Sequence, residues 1–71
     1  MSWNYRVMKR MNESGEYDYG IHEVFYNEKG EISFWTLESL TPVCPSEEGL
    51  MHELHLMLEA FKKETVLYED K

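Results

Sequence analysis

Apolar and polar residues alternate from Trp3 to Arg10, with Trp3, Tyr5 and Val7 on one side and Asn4, Arg6, Met8 and Arg10 on the other. A period of two over this length predicts a strand with one mainly apolar face. Turn chemistry follows at Asn12-Glu13-Ser14-Gly15-Glu16. A second strand is expected over Tyr17 to Tyr26, with Ile21 and Phe25 on one face and His22, Val24 and Tyr26 on the other. Both of its faces are partly apolar, as in a strand with neighbours on both sides. Asn27-Glu28-Lys29-Gly30 reads as a hairpin loop in which Gly30 takes a positive φ. Glu31 to Leu37 reads as a third strand, Ile32 and Phe34 facing one way, Trp35 and Leu37 the other.

The period then changes. After a connection holding Pro42 and Pro45, Ser46 is placed to cap a helix, with Glu47 and Glu48 in its first turn, where the helix dipole favours anions. At 100° per residue, Leu50, Met51, Leu54, Met57, Leu58 and Phe61 fall in one band, which predicts a core-facing stripe on a helix running to about Lys63. Leu56 falls outside the band and is expected to be exposed. Gly49 costs helix propensity in the first turn. Thr65 to Tyr68 reads as a short last strand, followed by the charged residues Glu69-Asp70-Lys71. There is no low-complexity segment and no internal repeat.

The expected fold class is α+β: a two-layer β-β-β-α-β domain, an antiparallel meander with one helix on one face and a short fourth strand. If the last strand is reached by a crossover through the helix, it lies parallel to the first, and the strand order is 3-2-1-4. One helix leaves the other sheet face without a cover. Met8, Val24, Tyr26 and Trp35 are expected to line that face, and a bare apolar face of this kind marks an interaction surface.

Composition narrows the picture. The 71 residues suit one domain, 1–71, and a chain this short is marginal without staples. The lone Cys44 excludes an internal disulfide, so self-association is the expected remedy for a small core. A reducing, cytoplasmic setting is expected from the single thiol and from an N-terminus without the apolar core of a signal peptide. The longest stretch without Asp, Glu, Lys or Arg is Ser39–Ser46, far short of a membrane span. With 14 acidic against 7 basic side chains the formal charge is −7. Residues 1–11 hold Arg6, Lys9 and Arg10 and no acid, so every carboxylate side chain falls later. The expected partner is a second copy or another protein, with no membrane and no nucleic acid, because the acidic remainder repels phosphates. The alternative is an acidic mimic of nucleic acid that occupies the basic groove of a partner, with Glu47, Glu48 and Glu59 as its charged face.

Candidate chemistry is sparse. His52 and His55 share a helix stripe with Glu48 and Glu59, a row of residue types that bind transition metals but also compose an ordinary solvated face. The segment His52-Glu53-Leu54-His55 lacks the spacing of a zinc-protease motif. His22 and Cys44 are the residue types of a nucleophilic pair, without a Gly-rich oxyanion loop beside them. No phosphate-binding loop is present among the glycines. The reading is a non-enzymatic binding or regulatory module with no cofactor and no metal.

The run Trp3-Asn4-Tyr5-Arg6-Val7, then Tyr19-Gly20-Ile21-His22-Glu23-Val24-Phe25-Tyr26, Gly30, Trp35-Thr36, Ser46-Glu47-Glu48, Leu54 and Met57-Leu58-Glu59-Ala60 resembles a family of short bacterial proteins. That family carries a GIHEVYY-type strand, a WT strand and a helix that opens on Ser-x-Glu-Glu. The resemblance covers nearly the whole chain. Phe25 stands where tyrosine is usual, Gly49 where a helix former is usual and Glu64 where proline is common. It implies one intact domain and assigns no activity. The element order is also similar to HicB-like antitoxin domains, a likeness of topology and of the Ser-Glu-Glu helix start only.

Overall fold

In the computed structural model, residues 2–68 are described. The residues Glu69-Asp70-Lys71, read above as a charged tail, lie outside them. The order is β1 (Ser2–Met11), β2 (Tyr17–Tyr26), β3 (Ile32–Trp35), α1 (Glu47–Leu58), a 3-10 turn (Glu59–Lys62) and β4 (Val66–Leu67). The sheet order is β3-β2-β1-β4. β1 pairs antiparallel with β2 from Ser2↔Tyr26 to Met11↔Tyr17, and β4 lies parallel to β1 at Met8↔Val66 and Lys9↔Leu67. The domain is therefore the expected α+β meander with one crossover. No helix among the described residues is long and apolar enough to cross a membrane.

The two hairpins are the same device built twice. Asn12-Glu13-Ser14-Gly15-Glu16 and Asn27-Glu28-Lys29-Gly30-Glu31 share the pattern Asn-Glu-x-Gly-Glu. In each, the Asn Oδ1 accepts from two backbone N–H groups, those of Ser14 and Glu16 in the first (2.9 and 3.0 Å) and of Lys29 and Glu31 in the second (2.9 and 3.0 Å). The glycine N–H donates back to the Asn carbonyl, at 3.1 Å for Gly15 and 3.0 Å for Gly30. Gly30 has φ 80°, which a side chain rarely adopts.

β3 is shorter than its alternation predicts. A bulge between Phe25 and Tyr26 shifts its register, and past Trp35 the chain holds β2 only at intervals, through Thr36 N–H to the Glu23 carbonyl (3.1 Å) and Leu40 N–H to the Ile21 carbonyl (2.9 Å). α1 starts where Ser46 predicts, its Oγ accepting from Gly49 N–H at 3.0 Å. A Cβ at Gly49 would stand 3.1 Å from that same Oγ, so the glycine leaves room for its own cap. The helix tightens to a 3-10 turn at Glu59 and ends at Lys62.

The helix stripe requires a correction. Of the six residues expected to face the core, only Met57 is buried and Leu50 is half-buried. Met51, Leu54, Leu58 and Phe61 are exposed. The helix segment docks mainly on β1, and its side chains turned from solvent, beyond Gly49, are those of Leu50, Glu53, Met57 and Ala60. The reason is one of width: a helix is about 10 Å across and strands are about 4.8 Å apart, so one helix shelters about two strands.

Candidate functional site

The face opposite the helix was expected to be bare, and it is not. Met8 and Val24 are 0% exposed and His22 is 1% exposed. They cannot line an accessible surface, whereas Tyr26 and Trp35 are half-buried at its margin. The cover comes from the far end of the chain. β4 sets Tyr68 beside β1, with its N–H donating to the Lys9 carbonyl at 3.1 Å. The Tyr68 ring then stands edge-on to His22 (5.2 Å between centroids) and to Trp35 (6.0 Å). Arg10 lies over the same ring at 5.8 Å. On the other flank, Arg6 donates to the Tyr26 hydroxyl (2.8 Å) and to the Glu64 carbonyl (2.7 Å), and Tyr26 donates to Asn4 Oδ1 (2.8 Å).

Among the described residues His22 is the most enclosed polar side chain, and its tautomer follows from its partners. Nδ1 lies 2.8 Å from the Thr36 carbonyl, which can only accept, so Nδ1 carries the proton. In the neutral ring Nε2 is then an acceptor, and it faces the Tyr68 hydroxyl at 3.4 Å. Gly20 is required beside it, since a Cβ there would sit 2.7 Å from the Ser39 Cβ. Arg10, Asp18, Gly20, His22, Glu38, Ser39 and Tyr68 border an open polar cleft of about 670 Å³.

Cys44 is on the other side of the sheet. It lies near Gly49 and contributes to the electrostatic surroundings of Tyr5, which faces the helix. A Cys44–His22 pair is excluded by this separation, because the sheet lies between them. His52, His55, Glu48 and Glu59 are all exposed, and Glu59 is paired with Lys62 at 2.7 Å. Among the described residues no group of three or more His, Cys, Asp or Glu side chains is placed to hold a metal ion.

The helix side has a different character. The Tyr5 hydroxyl donates to Glu53, a half-buried carboxylate in the docking seam. Burial, and then the hydrogen bond and charge of Glu53, push the Tyr5 phenol up to about 12. Around this polar anchor the surface is apolar. Phe25 and Phe34 stack at 4.5 Å, and Trp3 stands edge-on to Tyr5 at 5.3 Å. Leu56, exposed as expected, borders a hollow of about 300 Å³ with Trp3 and Tyr5. Phe61 borders another, of about 390 Å³, with Val7, Tyr19 and Ile21. The sequence signal for this surface was the width of the apolar arc on the helix, broader than one docking line needs.

Compared with protein-family models, with curated proteins and with solved structures, the chain matches none. The functional reading therefore rests on its own residues.

Proposed function

We propose that the protein is a small non-enzymatic binding module that works as a self-associated unit, using the helix side of its sheet. The observation that carries this is the imbalance of burial. Among the described residues five apolar side chains are buried (Val7, Met8, Val24, Met57 and Ala60), whereas Trp3, Phe34, Met51, Leu54, Leu58 and Phe61 are all exposed. A chain of this size buries only about 60% of its unfolded surface and has little to spare. An exposed apolar patch rimmed by polar residues is the usual mark of a protein interface. The contact surface is then the helix and the adjoining sheet face, in place of the Met8, Val24, Tyr26 and Trp35 side.

A non-enzymatic role is supported by the state of the candidate groups. The acceptor nitrogen of His22 is turned to Tyr68, and the one thiol lies across the sheet. The lone thiol also fits a cytoplasmic setting. Sedimentation equilibrium on the full chain is the test: a dimer at micromolar concentration is expected, and a strict monomer at high micromolar concentration overturns the reading. The mimic of nucleic acid is the second reading, favoured by the exposed Glu47 and Glu48 at the start of α1. It predicts a basic protein partner that is lost when both are changed to Gln.

A further inference from the structure

β1 runs for ten residues, Ser2–Met11, but β4 pairs with it only at Met8 and Lys9. In an antiparallel pair the backbone groups of successive residues point alternately toward the neighbour and away from it. The Lys9 carbonyl points away from β2, since it accepts from Tyr68 N–H. Trp3 and Tyr5 share its place in the alternation, so their N–H and C=O groups point to the same edge. Among the described residues these groups have no hydrogen-bond partner there. Ser2 to Arg6 is therefore an open sheet edge. The opposite edge is blunted, because β3 has four residues and a bulge in its pairing with β2.

The hollow of about 300 Å³ lies against the open edge and is lined by Trp3, Asn4, Tyr5, Leu56, Glu59 and Lys63. Asn4 borders it although its side chain meets Tyr26 on the other face, so the hollow reaches the backbone of the edge itself. Charge here is positive and unmatched. Arg6 is half-buried and meets only neutral acceptors, the Tyr26 hydroxyl and the Glu64 carbonyl, and its buried Nε has no partner among the described residues. Lys63 is exposed beside the hollow, and among the described residues it has no ion pair.

We infer that an extended acidic segment of a partner protein adds to the sheet along Ser2–Arg6. This binding is independent of self-association. Each feature of the edge fixes part of the occupant's chemistry. Unpaired N–H and C=O groups two residues apart, about 7 Å, match the backbone of another extended chain. Residues opposite each other on neighbouring strands share a face. Those opposite Trp3 and Tyr5 point toward the hollow and are apolar. Those opposite Asn4 and Arg6 point to the other face, where a carboxylate meets the Arg6 charge. A second copy of β1 does not fit this chemistry, because residues 1–11 hold Arg6, Lys9 and Arg10 and no acid, and like charges on paired strands repel.

The test uses the full isotope-labelled chain and a capped peptide, Glu-Leu-Glu-Leu-Glu, followed by amide hydrogen exchange. At saturation the Trp3 and Tyr5 amides are expected to gain at least about tenfold protection. Protection confined to Ile32–Trp35, or none, overturns the inference. The same peptide with Lys in place of Glu is expected to bind at least about tenfold more weakly, and equal binding overturns the acidic occupant. Peptides N-methylated at both leucines or at all three glutamates need no protein variant. Strand addition uses the amides of alternate residues, so one of the two is expected to lose binding and the other to keep it. Equal behaviour of the two overturns strand addition. Trp3 and Tyr5 amides that become protected without peptide, as the chain is concentrated, assign the edge to a second copy and overturn the inference. A chain that sediments as a monomer yet binds the peptide supports it while overturning the self-association reading.

Discussion

The two faces of the sheet make opposite use of similar material. On one, Met8, His22 and Val24 are sealed by Tyr68, Trp35 and the Arg6–Tyr26 pair. On the other, a helix lies over the sheet, yet most of its large apolar side chains remain in water. The face with the helix is the less finished one. What makes a core is closure from all sides, and aromatic rings supply it on the first face, where the Tyr26 and Tyr68 hydroxyls find polar partners. A single narrow helix does not supply it on the second.

The largest test of this contrast is Met8→Ala. Emptying a fully enclosed site is expected to cost about 2–5 kcal/mol in urea unfolding. A loss no greater than that of an exposed methionine such as Met11→Ala would erase the distinction between the faces. His22→Ala comes next, at about 1–3 kcal/mol, since it empties an enclosed site and leaves the half-buried Thr36 carbonyl without this donor. Leu58→Ser separates the alternatives for the helix side. In a monomer, an exposed leucine changes stability by only about 0.5 kcal/mol. In the proposed dimer the same change should raise the dissociation constant at least about tenfold and make the midpoint of melting more dependent on concentration.

Ser46→Ala tests how firmly the helix is held at its start, with an expected loss of about 1 kcal/mol. The smallest effect belongs to Tyr5. Its folded-state phenol is raised to about 12 from an ordinary value of 10.0, so the unfolded chain gives up this proton first. The contribution is complete below about pH 10 and is lost as pH rises toward 12. Stability should therefore fall more steeply over that window in the native chain than in Tyr5→Phe, as followed by urea midpoints at each pH.

Much of the architecture was legible from residue pattern. The alternation over Trp3–Arg10 and Tyr17–Tyr26 marked β1 and β2, and Ser46 marked the start of α1. The twin Asn-Glu-x-Gly-Glu loops were also present as a short repeated motif, visible once the side-chain role of the asparagine is known. The placement of the helix was not legible. Leu50, Glu53, Met57 and Ala60 form one line along it, and Met51, Leu54, Leu58 and Phe61 form a second, one residue further on. By hydrophobicity the second line is the stronger candidate for burial. The first is the one that docks, partly because Glu53 meets the Tyr5 hydroxyl.

Local pattern by itself determined the elements, the turns and the order of the three meander strands in this protein. These depend on period, on capping and on the short reach of hydrogen bonds between near neighbours in sequence. Only the tertiary structure decided which apolar face is closed. Tyr68 reaches His22 from 46 residues away, and no local period records where such a ring will land. The hydrophobic effect has no direction, so it rewards cover from any part of the chain, or from another chain, equally.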